Sequence, residues 1–339
     1  MGQPLDILAS GMVTGVGLNA PASCAAIRAG INNVVETRFL DQGGAWLLGS
    51  PVPLTQPWRG SAKLINLVVP AIRECLATSP YTPDQIPLLL CVAEPDRPGR
   101  LNQADERLLE RIERELGGRF HPRSGVLARG RVGGALAVQI ARKMIYEERL
   151  PLCVVAGVDT LLVAPTVAAY EERDRLLTSD NSNGFIPGEA GAAVLLGPPQ
   201  RRNGAALRIA GVGFGQEQAA IEAEAPLRAD GLVEAVKEAL REGGVPMHAV
   251  DFRITDANGE QYYFKEAALA VNRILRQRKE TFDIWHPVDS IGEVGAAIGP
   301  CVLGVALAAV TKNYARGRCI LCHFGNDAGE RAALVLRVE

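Results

Sequence analysis

The segment ARGRVGGALAVQIARKMIYEER, residues 128–149, sets an arginine at the start of a helix. Gly133-Gly134 opens an apolar run at helical spacing, with Lys and Arg near its end, where the helix dipole favours cations. The opposite end carries partial positive charge and unpaired N–H groups, so it favours thiolates, carboxylates and phosphates. Arg131 stands there with the wrong sign. A guanidinium is not a nucleophile and keeps its proton, so this residue offers charge and donors rather than covalent chemistry.

The remaining chemically capable side chains are dispersed. Cys24, Cys75, Cys91, Cys153, Cys301, Cys319 and Cys322 are odd in number and lie mostly in apolar segments. They read as reduced core residues rather than disulfides or a metal site. Cys319-Ile-Leu-Cys322 has CxxC spacing, but its apolar middle and strand-like setting argue against redox or zinc chemistry. Cys322 and His323 are adjacent, so a strand sends them to opposite faces and they form no dyad. Cys301 begins an apolar helix after Pro300 and reads as core. GVGFG (211–215) lacks the spacing and acidic follower of a dinucleotide loop. Neither a metal nor a cofactor is expected.

These residues must be positioned by a large scaffold. The chain has 339 residues, 47% of them hydrophobic and only 5% aromatic, with 36 glycines. That length and composition suit a tightly packed α/β protein with aliphatic cores, as one large domain or two halves. A net charge of −2 gives no basic footprint for nucleic acid. No apolar run reaches the length of a membrane span, and the N-terminus has no basic region before its strand-like stretch. A cytoplasmic location without membrane partners is expected.

Short apolar strands alternate with helices, which predicts mixed sheets covered on both faces. Helices are predicted over 20–30, 62–77, 102–117, 230–244 and 259–280, the charged faces of the last three being solvated surface. Residues 40–62, with Gly, Pro and Trp, read as a surface excursion. Two halves echo each other. LDILASGMVTGVG (5–17) is answered by LRIAGVGFGQE (207–217), each read as a strand running into a glycine turn. LCVVAG (152–157) is answered by ILCHFG (320–325), and AGAAVLLG (190–197) by AALVLRV (332–338). The polar join GPPQRRNGAA (197–206) divides the chain into halves of 1–204 and 205–339.

Taken in order, these stretches resemble the β-ketoacyl synthases of the thiolase superfamily. LDILASGMVTGVGLNAPASCAAIRAGINNV resembles the family's opening strand, glycine turn and helix. GVDTLLVAPTVAAY and NSNGFIPGEAGAAVLLGP are similar to its most recognisable segment, a GxVxGEGAG-like loop leading into a strand. SIGEVGAAIG (290–299) resembles SxxGHxxGAAG, and HFGNDAGERAALVLR the closing gate loop and last strand. The resemblance spans nearly the whole chain, which is shorter than a usual elongating synthase. It implies an α/β fold of five layers, αβαβα, built from two similar halves.

The resemblance also implies where the chemistry has gone. The family uses a cysteine at a helix N-terminus, with lowered pKa and an oxyanion hole, and two histidines that stabilise an enolate. Aligned on the family motifs, Arg131 takes the nucleophile position, Asn258 the first histidine and Glu293 the second, while the usual lysine falls on Val288. The gate-loop Phe-Gly-Gly becomes Asn326-Asp327-Ala328, so Phe324, Gly325 and Asn326 mark the former oxyanion and gate region. His121, His248, His286 and His323 lie outside the histidine motifs. Gly188, Glu189 and Gly191 correspond to a structural loop, and Asp159-Thr160 to a loop anchor. In a family member, positions 131, 258 and 293 point into one buried pocket. An arginine there needs a partner, because an unpaired buried charge costs several kcal/mol. Glu293 is expected to pair with Arg131, with Asn258 hydrogen-bonded nearby.

Three functional readings follow. The first is a pseudoenzyme serving as an accessory or chaperone-like factor for a secreted effector, as with degenerate thiolase-like proteins of type VI secretion. The second is a chain-length-factor-like partner of an active ketosynthase, and the third a divergent acyltransferase using an unrecognised nucleophile. The trimmed length and altered gate loop lean towards the first. The resemblance implies a homodimer, or a heterodimer with a related subunit.

Overall fold

The computed structural model describes residues 2–100, 105–200 and 204–339. The first half runs β1 (Leu5–Thr14), α1 (Ala20–Arg28), β2 (Val35–Leu40), β3 (Trp46–Gly49), α2 (Gly60–Leu76), β4 (Leu88–Val92), α3 (Asp105–Leu116), β5 (Gly125–Ala128), α4 (Gly133–Tyr146), β6 (Cys153–Thr160), α5 (Ala164–Glu171) and β7 (Glu189–Gly197). The second runs β8 (Leu207–Gln216), α6 (Asp230–Gly243), β9 (Phe252–Thr255), α7 (Gln261–Ile274), β10 (Ile284–Trp285), α8 (Val288–Ile291), α9 (Ile298–Thr311), β11 (Cys319–Gly325) and β12 (Glu330–Val338).

Both halves use one strand order. Counted from the middle of the molecule, the sheets read β1-β7-β6-β4-β5 and β8-β12-β11-β9-β10. In each, the second strand of that order, β7 or β12, is antiparallel to both neighbours and the three outer strands are parallel. The sheets also share an edge, where Leu5–Ile7 of β1 pairs antiparallel with residues 207–209 of β8. Helices α2 and α3 cover the outer face of the first sheet, and α6 and α7 that of the second. Between the sheets lie α4 and α9. This is the thiolase-like five-layer αβαβα sandwich. Helix α9 is apolar on nearly every side, as a helix enclosed by two sheets must be.

Three sequence expectations are corrected. Gly211, Gly213 and Gly215 lie inside β8 rather than in a turn after it. A Cβ at each would meet backbone oxygens of α6 at 2.1 Å, so the glycines let the helix sit directly on the strand. The helix expected to Glu280 stops at Ile274, where Leu275 turns extended; Lys279 then ties the following segment to the backbone oxygens of His248 and Val250. The charged faces of α6 and α7 are not wholly solvated. Glu238 and Glu242 accept backbone N–H groups of Phe214 and Val212 in β8, and Glu266 is buried beneath Arg331. Residues 102–104 of the predicted third helix lie outside the described residues.

The excursion at 40–62 contains part of a two-stranded hairpin, β2–β3, separate from the large sheet. Among the described residues, no helix is long and apolar enough to cross a membrane.

Candidate functional site: a charged plug at the strand ends

The C-terminal ends of β4, β6, β9 and β11 converge with the turns that open α4 and α9. Arg131 sits in a short 3-10 turn, Gly130–Val132, directly before α4. Gly130 has φ +50°, and a Cβ there would fall 1.9 Å from a carboxylate oxygen of Glu94; only glycine lets the chain turn this closely against Glu94. The turn aims the Arg131 side chain inward, and the residue is 5% exposed.

The ion pair expected with Glu293 is made, Arg131 Nη1 lying 3.2 Å from Glu293 Oε2. Asn258 Nδ2 donates to the same oxygen at 2.9 Å, and the Gly295 N–H donates to Glu293 Oε1 at 2.9 Å. The backbone of Glu293 is held as well, its N–H donating to the Ile186 carbonyl at 2.8 Å and its carbonyl accepting the Gly188 N–H at 2.9 Å. Arg131, Asn258 and Glu293 therefore form one hydrogen-bonded group spanning both halves.

The tertiary structure adds partners with no sequence signal of their own. Asp327 Oδ1 accepts from Arg131 Nη2 at 2.9 Å and from the Tyr263 hydroxyl at 2.7 Å. Tyr263 also hydrogen-bonds Arg131, and its ring lies beneath the guanidinium at 4.4 Å. Asp256 lies 3.8 Å from Arg131 Nε. Arg175 extends the network, pairing with both oxygens of Glu260 at 2.7 and 2.8 Å and with Asp327 at 2.7 Å. These residues follow strands or sit on helices distant in sequence, so local pattern could not connect them.

The electrostatics follow from this crowding. Burial alone would disfavour a charged Arg131, yet Tyr263, Glu293, Asp256 and Asp327 hold its pKa well above the ordinary arginine value. Burial would likewise raise Asp327, but Arg131 and Arg175 hold its carboxyl well below the usual range. Glu94, at the pocket wall, is pushed up to about 7, chiefly by burial. Arg97 beside it pairs with Asp159 at 2.7 Å. The space left among Glu94, Arg97, Arg131, Tyr170 and Glu293 is about 30 Å³, room for one or two waters.

The other candidate residues lie around this group. Phe324 and Gly325 are buried at the end of β11, and the Gly325 N–H donates to Asp256 at 3.0 Å. Asn326 turns away, its amide closing a tight loop with Glu330; the side chain that enters from the gate loop is Asp327. Val288 is buried in α8. Glu189 is buried outside the pocket, bonded to Lys63 at 2.6 Å, the Val52 N–H at 2.9 Å and the Thr160 hydroxyl at 2.8 Å, which ties the loop after β3 to β6 and β7. Gly191 lies in β7 against the α2 backbone. Asp159 accepts from the Ala296 N–H at 3.1 Å, fixing the turn before α9.

None of the usual nucleophiles is activated. All seven cysteines are buried, and burial pushes every thiol up, Cys91 and Cys24 to about 12. His323 is buried beside the Thr255 hydroxyl and pushed down to about 3 by burial and by Arg253 and Arg331; it is neutral at physiological pH. The site as built holds charge and shields it from solvent.

No protein-family model matches the sequence, and no curated protein matches it. Solved structures do. The chain is similar to a ketosynthase (ApeO) in complex with its chain length factor (ApeC) from Xenorhabdus doucetiae, at 14% identity and TM-score 0.75, covering 99% of this chain and 98% of that one. It is similar to the ishigamide ketosynthase/chain length factor, at 16% identity and TM-score 0.75, over 99% of both chains. A third similar structure is AntDE:AntF, a type II PKS acyl-carrier protein in complex with its ketosynthase, at 12% identity and TM-score 0.80, covering 99% and 100%. The chain has the thiolase-like fold of the ketosynthases.

Proposed function

We propose that this chain is a catalytically silent subunit of ketosynthase fold that acts by binding another protein, as a chain-length-factor-like partner of an active ketosynthase. One observation carries this reading. Where an acyl thioester would need a nucleophile and an open pocket, a buried arginine is clamped by Glu293, Asp327 and Tyr263, and about 30 Å³ remains. An acyl chain does not fit that space, and no lowered-pKa thiol replaces the arginine.

The end-to-end likeness to structures of ketosynthases with a chain length factor or a carrier protein supports a partner subunit over a client-binding chaperone. A type VI effector as client rests on the sequence resemblance alone.

Intact-protein mass after incubation with acyl- and malonyl-thioesters, alongside decarboxylation of the malonyl donor, tests the silence. Unchanged mass and no carbon dioxide are expected; a stoichiometric adduct or turnover would restore the divergent acyltransferase. Co-expression with a ketosynthase encoded beside this chain tests the partnership, with a one-to-one complex in light scattering as the expected result. Separate monodisperse proteins would remove the partner-subunit reading, and a toxin-like neighbour that co-purifies instead would favour the effector client.

A further inference from the structure

Among the described residues, seven of the eight large hydrophobic residues that stand most exposed fall between residues 18 and 58. Three share one face of the β2–β3 hairpin. Leu40 pairs directly across from Trp46 and Glu36 across from Leu48, and Leu40, Trp46 and Leu48 are 50%, 51% and 36% exposed. The opposite face is anchored through Leu47, 2% exposed, which packs with Leu161, Val167, Tyr170, Leu176 and Phe185, while Val35 near its start stays 42% exposed. The hairpin is thus anchored on one side and apolar on its open side. A Trp–Leu cross-strand pair left in water is an unusual expense of a β-ribbon, whose apolar pairs ordinarily find cover.

The hairpin tip leads straight into a second feature. Asp41, next to Leu40, borders a cleft of about 390 Å³ whose other wall carries Glu171, Asp174 and Asp180. No lysine or arginine lines it, and none of these four carboxylates has an ion pair among the described residues. Arg38, the hairpin's own cation, lies over the Phe39 ring instead. Glu171 adds an independent sign: its Oε1 is shielded from solvent and has no hydrogen-bond partner. With no donor on that oxygen and no cation along the wall, the negative charge of the cleft is left uncompensated by this chain.

We propose that the hairpin face and this cleft form one docking surface for a protein segment that carries arginine or lysine beside large apolar side chains. The apolar residues cover Leu40, Trp46 and Leu48, while the cation enters the acidic cleft bordered by Asp41, Asp174 and Asp180. The sign of the cleft selects against nucleic acid and anionic lipid, and the apolar face selects against a purely cationic tail. The surface lies on the outside of the molecule and shares no residue with the Arg131–Glu293 plug. The proposal deepens the protein-binding reading by giving the partner a chemistry, and its test involves neither thioester chemistry nor a ketosynthase, so either can fail alone.

The test is selection of a random twelve-residue peptide display library on the intact protein. Two variants serve as counter-selection, Trp46→Thr and the double variant Asp174→Asn/Asp180→Asn; asparagine suits position 174, which has φ +52°. Unfolding midpoints equal to that of the parent establish that both variants are folded. The expected result is enrichment of peptides with Arg or Lys next to Leu, Phe or Trp, binding each variant at least ten-fold more weakly in fluorescence anisotropy. Enriched peptides that are acidic, that are cationic without apolar residues, or that bind both variants as well as the parent would overturn the proposal. So would tight stoichiometric binding of calcium in calorimetry that the double asparagine variant abolishes, since the cleft would then be a metal site.

Discussion

Arg131 and Glu293, 162 residues apart and contributed by opposite halves of the chain, meet at 3.2 Å with side chains only 6% and 5% exposed. The contact joins the turn before α4 to the turn before α9, the two helices packed between the sheets. It acts as a structural cross-brace between the halves, and the consequences are measurable.

Breaking one side of the brace should cost more than removing both. Arg131→Met leaves Glu293 and Asp256 as neighbouring buried carboxylates, with the half-buried Asp327 beside them, and an expected loss of about 3–5 kcal/mol in denaturant unfolding. Arg131→Met combined with Glu293→Leu removes part of that repulsion, so the double variant should be more stable than the sum of the single losses by about 1–3 kcal/mol. Strictly additive losses would mean the pair is not coupled.

Placing a thiol at position 131 should not create a nucleophile. In Arg131→Cys the new sulfur faces Glu293, Asp327 and Asp256, whose charges raise a thiol pKa. Alkylation by iodoacetamide at pH 7.5, followed by peptide mass, is expected to run at least ten-fold slower than for free cysteine, with no acyl adduct from a thioester. Rapid alkylation would show that the surrounding carboxylates do not control the site.

Glu94 makes stability depend on pH. Burial, then Asp159, pushes its carboxyl from 4.5 up to about 7, against the pull of Arg97 and Arg131. Between those values the folded chain holds a proton that the unfolded chain has lost, so stability falls as pH rises from about 4.5 to about 7. Asp256, pushed up to about 6 chiefly by burial, adds in the same direction. Glu94→Gln removes its share, and at pH 8 it should exceed the parent's stability by on the order of 2 kcal/mol while matching it near pH 4. Unfolding curves across this range decide the matter; parallel curves for parent and variant would rule Glu94 out.

A second buried pair secures α7. Arg331 Nε lies 2.8 and 2.9 Å from the two oxygens of Glu266, and its other nitrogens donate to the Asn326 and Glu330 carbonyls and the Tyr262 hydroxyl. Arg331→Met should cost about 3–5 kcal/mol, with much of the loss recovered in Arg331→Met/Glu266→Leu. A loss below about 1 kcal/mol would show that α7 is held by its apolar face alone.

The reach of the sequence differs between these two pairs. Arg131, Asn258 and Glu293 could be brought together beforehand because each sits in a recognisable stretch, and an arginine at a helix start demands a carboxylate. Glu266 could not. Its helix shows an ordinary charged face, and nothing local marks the strand residue Arg331 that lies over it. Asp256, Tyr263, Arg175 and Glu260 were likewise silent, each an unremarkable polar residue until the loops closed.

The sequence by itself determined the layered α/β architecture and its duplication, because apolar periodicity and chain order act residue by residue and survive divergence. It also determined that no thiol stands before α4. Only the tertiary structure decided how the buried charges are satisfied, that the two sheets share an edge through β1 and β8, and that an apolar hairpin adjoins an acidic cleft. Those outcomes depend on where strand ends and loops meet in space, and a buried charge takes whichever partner the fold brings within about 3 Å, however far away it lies along the chain.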